Sequence, residues 1–561
     1  MFRLTPLAVS LLLVGCNVIP SNNSSALSAS TGQETESSQS EDDLISNTAA
    51  NPKDEALALH IKNSKSADIL ATTTESKTHW KSTLDLSRPK DSDQDDLYQV
   101  LRNNLSFDLA IEDARITSQL NWYASHPSYI DRVSQRASRY MYYIVSEIQA
   151  RDLPVELALL PIVESAFDPF AYSHGSASGM WQFISSTGKM YGLKQNWWYD
   201  GRRDVVASTD AALNYLSDLN RMFDGDWLLA LASYNSGPGT VMKAQKKNRA
   251  AGKPTDFWHL SLPKETEAYA PKLVALAKLF SDPEKYGMEM PVVANEPYFE
   301  IVETGGQIDL AQAATLAEME LSDLYILNPG FNRWATDPDG PHHLLVFADK
   351  AEVFKNNISQ LAANERLTWK RYTIQSGDSL LTIARKHDVT VDVLRDVNNI
   401  KGNLIRAGKT LMIPVASKND QYYSMSAENR LKVKQSSLSN SSKQRVDYKV
   451  QSGDSFWTIA RKFDVSVASI AKWNNMAPKD VIRPGQTLAI WVTPSNTDSA
   501  SDSRQVVRKV GYVVRKGDSL YRIADKFNLS ISDIEKWNQI SSKYLQPGDK
   551  LTLYVDVTRI Q

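Results

Sequence analysis

The chain has 561 residues, with 63 Lys and Arg against 65 Asp and Glu, and a formal net charge of −2 at pH 7. That length exceeds one core and calls for several domains. The near-neutral balance lacks the basic field that nucleic-acid binding needs, so no nucleic-acid partner is expected. The one cysteine, Cys16, excludes disulfides within the chain and a thiolate metal cluster. No metal or other cofactor is expected. Thirteen Trp and 23 Tyr suit sugar-binding surfaces, but they suit cores equally well.

The chain begins MFRLTPLAVSLLLVGC. One positive charge, Arg3, precedes an apolar run to Val14 that is too short to span a bilayer and has the form of a signal h-region. Leu13-Val14-Gly15-Cys16 resembles a bacterial lipobox. The resemblance implies that residues 1–15 are removed and that Cys16 receives lipid, which anchors the protein to a membrane. Asn17, where retained inner-membrane lipoproteins usually have Asp, implies the outer membrane of a Gram-negative cell, facing the periplasm. An ordinary signal peptide with an incidental cysteine is the alternative. Residues 16–92 are rich in Ser, Asn, Thr, Glu and Asp, cannot bury enough surface to fold, and read as a flexible tether.

From 93 to 290 the pattern is helical. Runs such as RVSQRASRYMYYIVSEIQARDL, STDAALNYLSDLNRMF and AYAPKLVALAKLF place apolar residues three and four apart. In VELALLPIVESAF, Pro154 suits the first turn, and Val155, Leu159, Ile162, Val163 and Ala166 surround Glu164 with apolar bulk. Desolvation raises the pKa of such a carboxyl, and a Glu protonated near neutral pH is a general acid. A surface Glu at the edge of an amphipathic helix is the plainer reading of this helix alone. Asp168, on a continuous helix, would lie roughly 5–6 Å from Glu164, the spacing of a retaining glycosidase pair. Pro169 disfavours helical geometry there, which makes Asp168 a helix-end or turn residue.

The same segment carries four motifs in order. These are Glu164-Ser165 with Asp168-Pro169 and Ser173; Gly179-Met180-Trp181-Gln182; Ser233-Tyr234-Asn235-Ser236-Gly237; and Glu265-Thr266-Glu267-Ala268-Tyr269. Together they resemble the soluble-lytic-transglycosylase domain, a goose-lysozyme-like helical fold. Trp181 and Phe183 depart from the family pattern and put the local packing of a sugar ring in question. The resemblance implies cleavage of peptidoglycan between N-acetylmuramic acid and N-acetylglucosamine by one carboxylate. Glu164 first protonates the bridging oxygen, the muramic acetamido group assists at C1, and Glu164 then takes the C6 hydroxyl proton as O6 attacks C1. The product is a 1,6-anhydro sugar. By the same transfer Ser173 bonds the acetamido or O6 region, Gln182 orients the substrate, and Tyr269 hydrogen-bonds Glu164. Tyr234 and Asn235 either line the cleft or serve as a core aromatic and a loop cap. Ser165 either orients the acid or caps the next turn. A hydrolase on the same fold and an inert glycan-binding anchor are the competing functions.

Other candidates are read as structural. His342-His343 would point to opposite faces of a strand and lacks a third metal ligand. Trp197-Trp198-Tyr199 packs under the next helix, which Arg202-Arg203-Asp204 and Ser208 cap and brace.

The C-terminal part is an internal repeat. Three copies, at 371–415, 447–492 and 510–555, begin YTIQSGDSLLTIA, YKVQSGDSFWTIA and YVVRKGDSLYRIA. They read as strand, helix, helix, strand, and they resemble the lysin motif, LysM. That resemblance implies binding to N-acetylglucosamine-containing glycan strands. Gly377-Asp378-Ser379, Gly453-Asp454-Ser455 and Gly517-Asp518-Ser519 mark the strand-to-helix turn, and Asn398, Asn474 and Asn538 end the second helix. Segments 416–446 and 493–509 read as linkers that leave the modules separately mobile. Residues 291–365 carry the same apolar spacing without the Gly-Asp-Ser turn, and read as a degenerate LysM-like module or as an irregular extension of the helical domain. The expected whole is multidomain: an all-α, lysozyme-like catalytic domain followed by small α+β (βααβ) modules.

Overall fold

The computed structural model describes residues 95–561 except 174, 388, 439–442, 493–506, 516–517, 528, 530, 539–544 and 557–561. Cys16, the leader at 1–15, the tether at 16–92 and Gly517 lie outside the described residues. The chain divides into two compact units. One runs through Arg430 and includes Asn475–Asp480; the other holds Leu431–Asn474 and Val481 onward. No helix among the described residues is long and apolar enough to cross a membrane.

The described residues of the first unit begin with ten α-helices: α1 Leu97–Asn103, α2 Ala114–Ala124, α3 Pro127–Ala137, α4 Met141–Ala150, α5 Leu160–Ser165, α6 Ser185–Met190, α7 Val205–Met222, α8 Trp227–Ser236, α9 Pro238–Ala250 and α10 Lys264–Ser281. Within these limits β structure is confined to isolated bridges among the described residues. Asp96, Asp113, Asp204 and Asp226 cap α1, α2, α7 and α8 by accepting from backbone N–H groups of the first turn. Helix α10 is buried almost all round from Tyr269 to Phe280, as expected of a helix at the centre of a domain. The run read as one helix through Glu164 is two elements. A 3₁₀ segment, Val155–Leu159, hands over to α5 where Pro161 supplies no N–H to continue the ladder.

Residues 298–347 contain two antiparallel strands, β1 Phe299–Glu303 and β2 His343–Phe347, in register from Phe299 opposite Phe347 to Glu303 opposite His343. Between them lie helices Leu310–Leu316 and Leu321–Leu327. The three repeats have the same plan, with β3 Thr368–Thr373 paired to β4 Thr410–Val415, β5 Gln444–Lys449 to β6 Thr487–Val492, and β7 Val507–Val513 to β8 Lys550–Asp556.

One asparagine explains why four different sequences take this plan. Asn474 Nδ2 donates to the carbonyls of Ile470 and Ala489, and its Oδ1 accepts from Ala489 N–H, all at 2.8 Å. The side chain thus closes the second helix and pins it to the middle of the second strand. Asn398 and Asn538 do the same with Met412 and Thr552, and Asn328 with Leu345. In the Gly-Asp-Ser turns the labour is divided. Ser379 and Ser455 cap the helix, whereas Asp378 and Asp454 accept from the hydroxyls of Tyr372 and Tyr448 and from a turn N–H. In the 298–347 segment Asp309 takes the capping position, bonding Ala311 and Gln312 N–H.

Asn474→Ala leaves a buried N–H and carbonyl of β6 unmatched, at about 1–3 kcal/mol each. We expect amide protection in β5 and β6 to fall by at least tenfold in hydrogen exchange of the full chain, with α1–α10 unaffected. Unchanged protection in β6 would show that the asparagine does not hold the module together.

The segment 416–446, read as a linker, has regular structure among its described residues. It contains a 3₁₀ turn, Asp420–Tyr423, and a helix, Ala427–Ser437. Tyr423 is buried and donates to the Asp309 carboxylate at 2.9 Å, while the Arg430 guanidinium stacks 4.0 Å from the Phe170 ring. Two side chains dock a stretch whose Ser- and Asn-rich composition reads as free chain, so residues to Arg430 belong to the first unit and separate mobility of the first repeat is not what the fold provides.

Candidate active site

Helix α5 ends abruptly. Ala166 and Phe167 both take left-handed φ, 51° and 56°, and their N–H groups return to the carbonyls of Ile162 and Pro161. Two consecutive non-glycine residues in that region are strained. The turn places Glu164 in the helix's last turn and throws Asp168 out of it. Asp168 accepts from Phe170 N–H at 2.9 Å and closes a turn. It does not take the i,i+4 position of a catalytic pair. The other acid of this segment, Glu156, is fully buried and accepts from Ser106 and Phe107 N–H.

Glu164 is 6% exposed, and the Tyr269 hydroxyl of α10 donates to its Oε1 in a short hydrogen bond. Burial pushes the Glu164 carboxyl up to about 8; the Tyr269 hydrogen bond and Lys272 oppose that rise, and Glu265 adds to it. Burial, followed by the charge of Glu164, holds the Tyr269 hydroxyl well above the ordinary tyrosine range, so it stays a donor.

The described residues of the loop 171–183, which follows α5, are tied down from several sides. Ser165 Oγ donates to the Met180 carbonyl at 2.9 Å, and the Tyr234 hydroxyl donates to the Trp181 carbonyl at 2.8 Å. Arg202 donates to the carbonyls of Ser176 and Phe183 while its guanidinium forks onto Asp200. Ser173 Oγ accepts from Gly175 and Ala177 N–H. Gln182 is half-buried and sends Nε2 to the Gly179 carbonyl at 2.7 Å.

Ser165 therefore braces the loop. Tyr234 is half-buried, with its ring against Tyr215 and Phe183. Asn235 lies inside α8, not in a loop, and accepts from Thr266 Oγ1 at 2.8 Å, which joins α8 to α10. Trp181 is fully buried with its indole N–H on Thr209, so it packs the core and leaves no face for a sugar. Trp197 packs edge-on to Trp198 under the Arg333 guanidinium. Asp204 and Ser208 cap and brace α7, but Arg202 and Arg203 reach away from it, Arg203 to the Pro329 carbonyl. Among the described residues no group of three or more His, Cys, Asp or Glu is placed to hold a metal ion.

Of the two charged groups that act on Glu164, Lys272 escaped the sequence reading and Glu265 was read only as part of the fourth motif. The signal was present, because with Tyr269 they stand at i, i+4 and i+7 of one helix.

Comparison with known families gives three matches. A Transglycosylase SLT domain model matches residues 141–257, the LysM domain matches 372–414, 448–491 and 512–553, and the LysM-like domain of lytic transglycosylase MltD matches 298–363. Fold and site thus define a helical peptidoglycan lytic transglycosylase that carries LysM modules. Membrane-bound lytic murein transglycosylase D of Escherichia coli (strain K12) is 38% identical over 411 residues, 72% of this chain and 86% of that protein. The chain belongs to the membrane-bound lytic murein transglycosylase D family. A putative tributyltin chloride resistance protein of Alteromonas sp. (strain M-1) is also 38% identical, over 178 residues that make up 31% of this chain and 84% of that one. The X-ray structure of an inactive variant of the lytic transglycosylase Slt from Pseudomonas aeruginosa covers 27% of this chain and 25% of its own, at 23% identity and a TM-score of 0.20.

Proposed function

We propose that Glu164 cleaves the glycosidic bond between N-acetylmuramic acid and N-acetylglucosamine as acid and then base, without water. The observation that carries this reading is one buried carboxyl, pushed up to about 8 and held by a tyrosine hydroxyl, while Asp168 is turned out of the helix onto the Phe170 N–H. At neutral pH Glu164 is protonated and gives its proton to the bridging oxygen as the C1–O bond breaks. The muramic acetamido oxygen closes on C1, which spares a carboxylate nucleophile. Glu164, now anionic, takes the proton of the C6 hydroxyl, and O6 displaces the acetamido oxygen at C1. The enzyme returns to its starting state, and the sugar ends in a 1,6-anhydro bridge.

Tyr269 steadies the Glu164 carboxylate between the two proton transfers. Ser173 Oγ, accepting from two backbone N–H groups, offers its hydroxyl hydrogen to the acetamido or O6 region, and Gln182 orients the muramic ring. Tyr234 and Asn235 line the cleft only through their half-exposed edges, and their main work is to hold the loop and α10. The LysM modules keep the enzyme on N-acetylglucosamine-containing strands. Lipid on Cys16 anchors it to the inner leaflet of the outer membrane, with the tether giving reach into the wall.

Mass spectrometry of products from purified sacculi tests the reaction. We expect 1,6-anhydromuramic ends as the main product. Reducing muramic ends, heavier by one water, would assign the site to a hydrolase.

A further inference from the structure

The helix that supplies Tyr269 carries a further cation into the site. Glu265, Tyr269 and Lys272 occupy positions i, i+4 and i+7 of α10, so they form one stripe along its side. The middle member is fixed by its hydrogen bond to Glu164, which turns the stripe toward α5. Thr266, beside it, is fixed to Asn235 of α8. Lys272 is half-buried in a helix whose other residues from Tyr269 to Leu276 are buried and apolar or aromatic. Lys278, the next cation, reaches away to the Ile111 carbonyl. The reaction above gives Lys272 no role, yet an ammonium in such surroundings carries a desolvation cost that a surface position would avoid.

Among the described residues, the groups that act on Glu164 or bond the backbone of its helix end come from three helices. Helix α10 contributes Tyr269, Glu265 and Lys272. Helix α8 contributes Tyr234, whose hydroxyl feels the Glu164 charge. Helix α3 contributes Tyr129 and Arg136, which donate to the backbone carbonyls of Ile162 and Ala166 and not to the carboxyl. Lys272 and Glu265 therefore act on Glu164 with opposite sign from either side of Tyr269. Burial holds the Lys272 ammonium below the ordinary lysine range, and the negative charges of Glu265 and Glu164 resist that fall.

We propose that Lys272 is a positioning residue for the reaction: its ammonium, one turn beyond Tyr269, stabilises the Glu164 carboxylate that exists between proton donation and proton return, and Glu265 keeps that ammonium charged. The proposal rests on Glu164 being acid and then base. A neutral acid becomes an anion in a water-poor site at the moment the glycosidic bond breaks. A fixed cation on the far side of Tyr269 lowers the energy of that anion without offering a proton of its own to the sugar.

The test uses the full chain, solubilised glycan strands and two readouts. The first is the pH dependence of kcat. The second is the protonated-carboxyl infrared band of Glu164 followed against pH, assigned by its loss in Glu164→Gln. Lys272→Met is expected to move the midpoint of that band up by about one pH unit, to move the alkaline fall in kcat with it, and to lower kcat about tenfold at neutral pH, with KM little changed. Lys272→Arg should restore the midpoint and most of kcat. Lys272→Gln, which serves if Lys272→Met does not fold, should move the midpoint up in the same way. An unmoved midpoint in a folded Lys272→Met or Lys272→Gln variant overturns the proposal. Cleavage by Glu164→Gln would instead overturn the acid–base reading, while the band midpoints would still report whether Lys272 acts on Glu164.

Discussion

Glu164→Gln is expected to fold, to bind sacculi, and to lose cleavage by about 10²–10⁴-fold or more. Glutamine keeps the size of the side chain and an acceptor for the Tyr269 hydroxyl, but it neither donates a proton to the bridging oxygen nor takes one from the C6 hydroxyl. The same change should stabilise the catalytic domain in a pH-dependent way. The Glu164 carboxyl is raised from 4.5 to about 8 in the folded protein. Below about pH 4.5 both folded and unfolded states hold the proton, and its burial is fully tolerated. Between the two values only the folded state holds it, so wild-type stability declines as pH rises, by about 1.4 kcal/mol per unit at most, until the group ionises near pH 8. Glutamine has no such decline. Thermal melting should thus show the variant level with wild type near pH 4 and several degrees more stable at pH 8. An inactive variant that is less stable at pH 8 would make Glu164 a structural residue. Asp168→Asn is the companion control. Its carboxylate accepts from a turn N–H outside the helix, so activity should survive; equal inactivity would restore a two-carboxylate mechanism.

Some of this was legible in the sequence and some was not, for physical reasons that differ by residue. Glu164 was legible because a carboxylate set among Val155, Leu159 and Ile162 breaks an apolar pattern. The modules were legible because the Asn that bonds the second strand must recur wherever the plan recurs, and Asn328 kept that place even where the Gly-Asp-Ser turn was lost. Trp181 was misjudged because a motif gives the order of residues but not the side to which a loop turns each one; its indole points to Thr209 and the core. The linker was misjudged because composition averages over length, whereas docking needs only a Tyr423 with an Asp309 to receive it. Lys272 was missed because a charge on a long helix ordinarily means solvent. Only the burial of its neighbours on every side gives it another meaning.

Gly179→Ala is expected to unseat the loop that Ser165 and Tyr234 brace, at a cost of several kcal/mol, and to abolish activity without touching a reacting group. Gly179 has φ +82°, where an alanine costs about 1–2 kcal/mol by itself. A methyl placed there would meet the Arg202 carbonyl oxygen at 2.0 Å and the Arg203 Cα at 3.1 Å, both backbone atoms. Neither side can give way cheaply. Arg202 is fixed by its fork onto Asp200 and by the Ser176 and Phe183 carbonyls. Gly179 is fixed by its N–H to Ala171 and by its carbonyl, which holds Gln182. The loop must therefore lift, which breaks the Gln182 and Met180 contacts that align it with α5. Gly192 supplies the control. It has the same φ of +82°, but an added methyl meets nothing within 4 Å. Gly192→Ala should show the backbone strain alone and melt only a few degrees lower at near-normal activity, whereas Gly179→Ala should melt about 10 °C lower or more. Equal melting of the two variants would mean that the Arg202 segment yields freely, and that the loop owes its position to something other than this close approach.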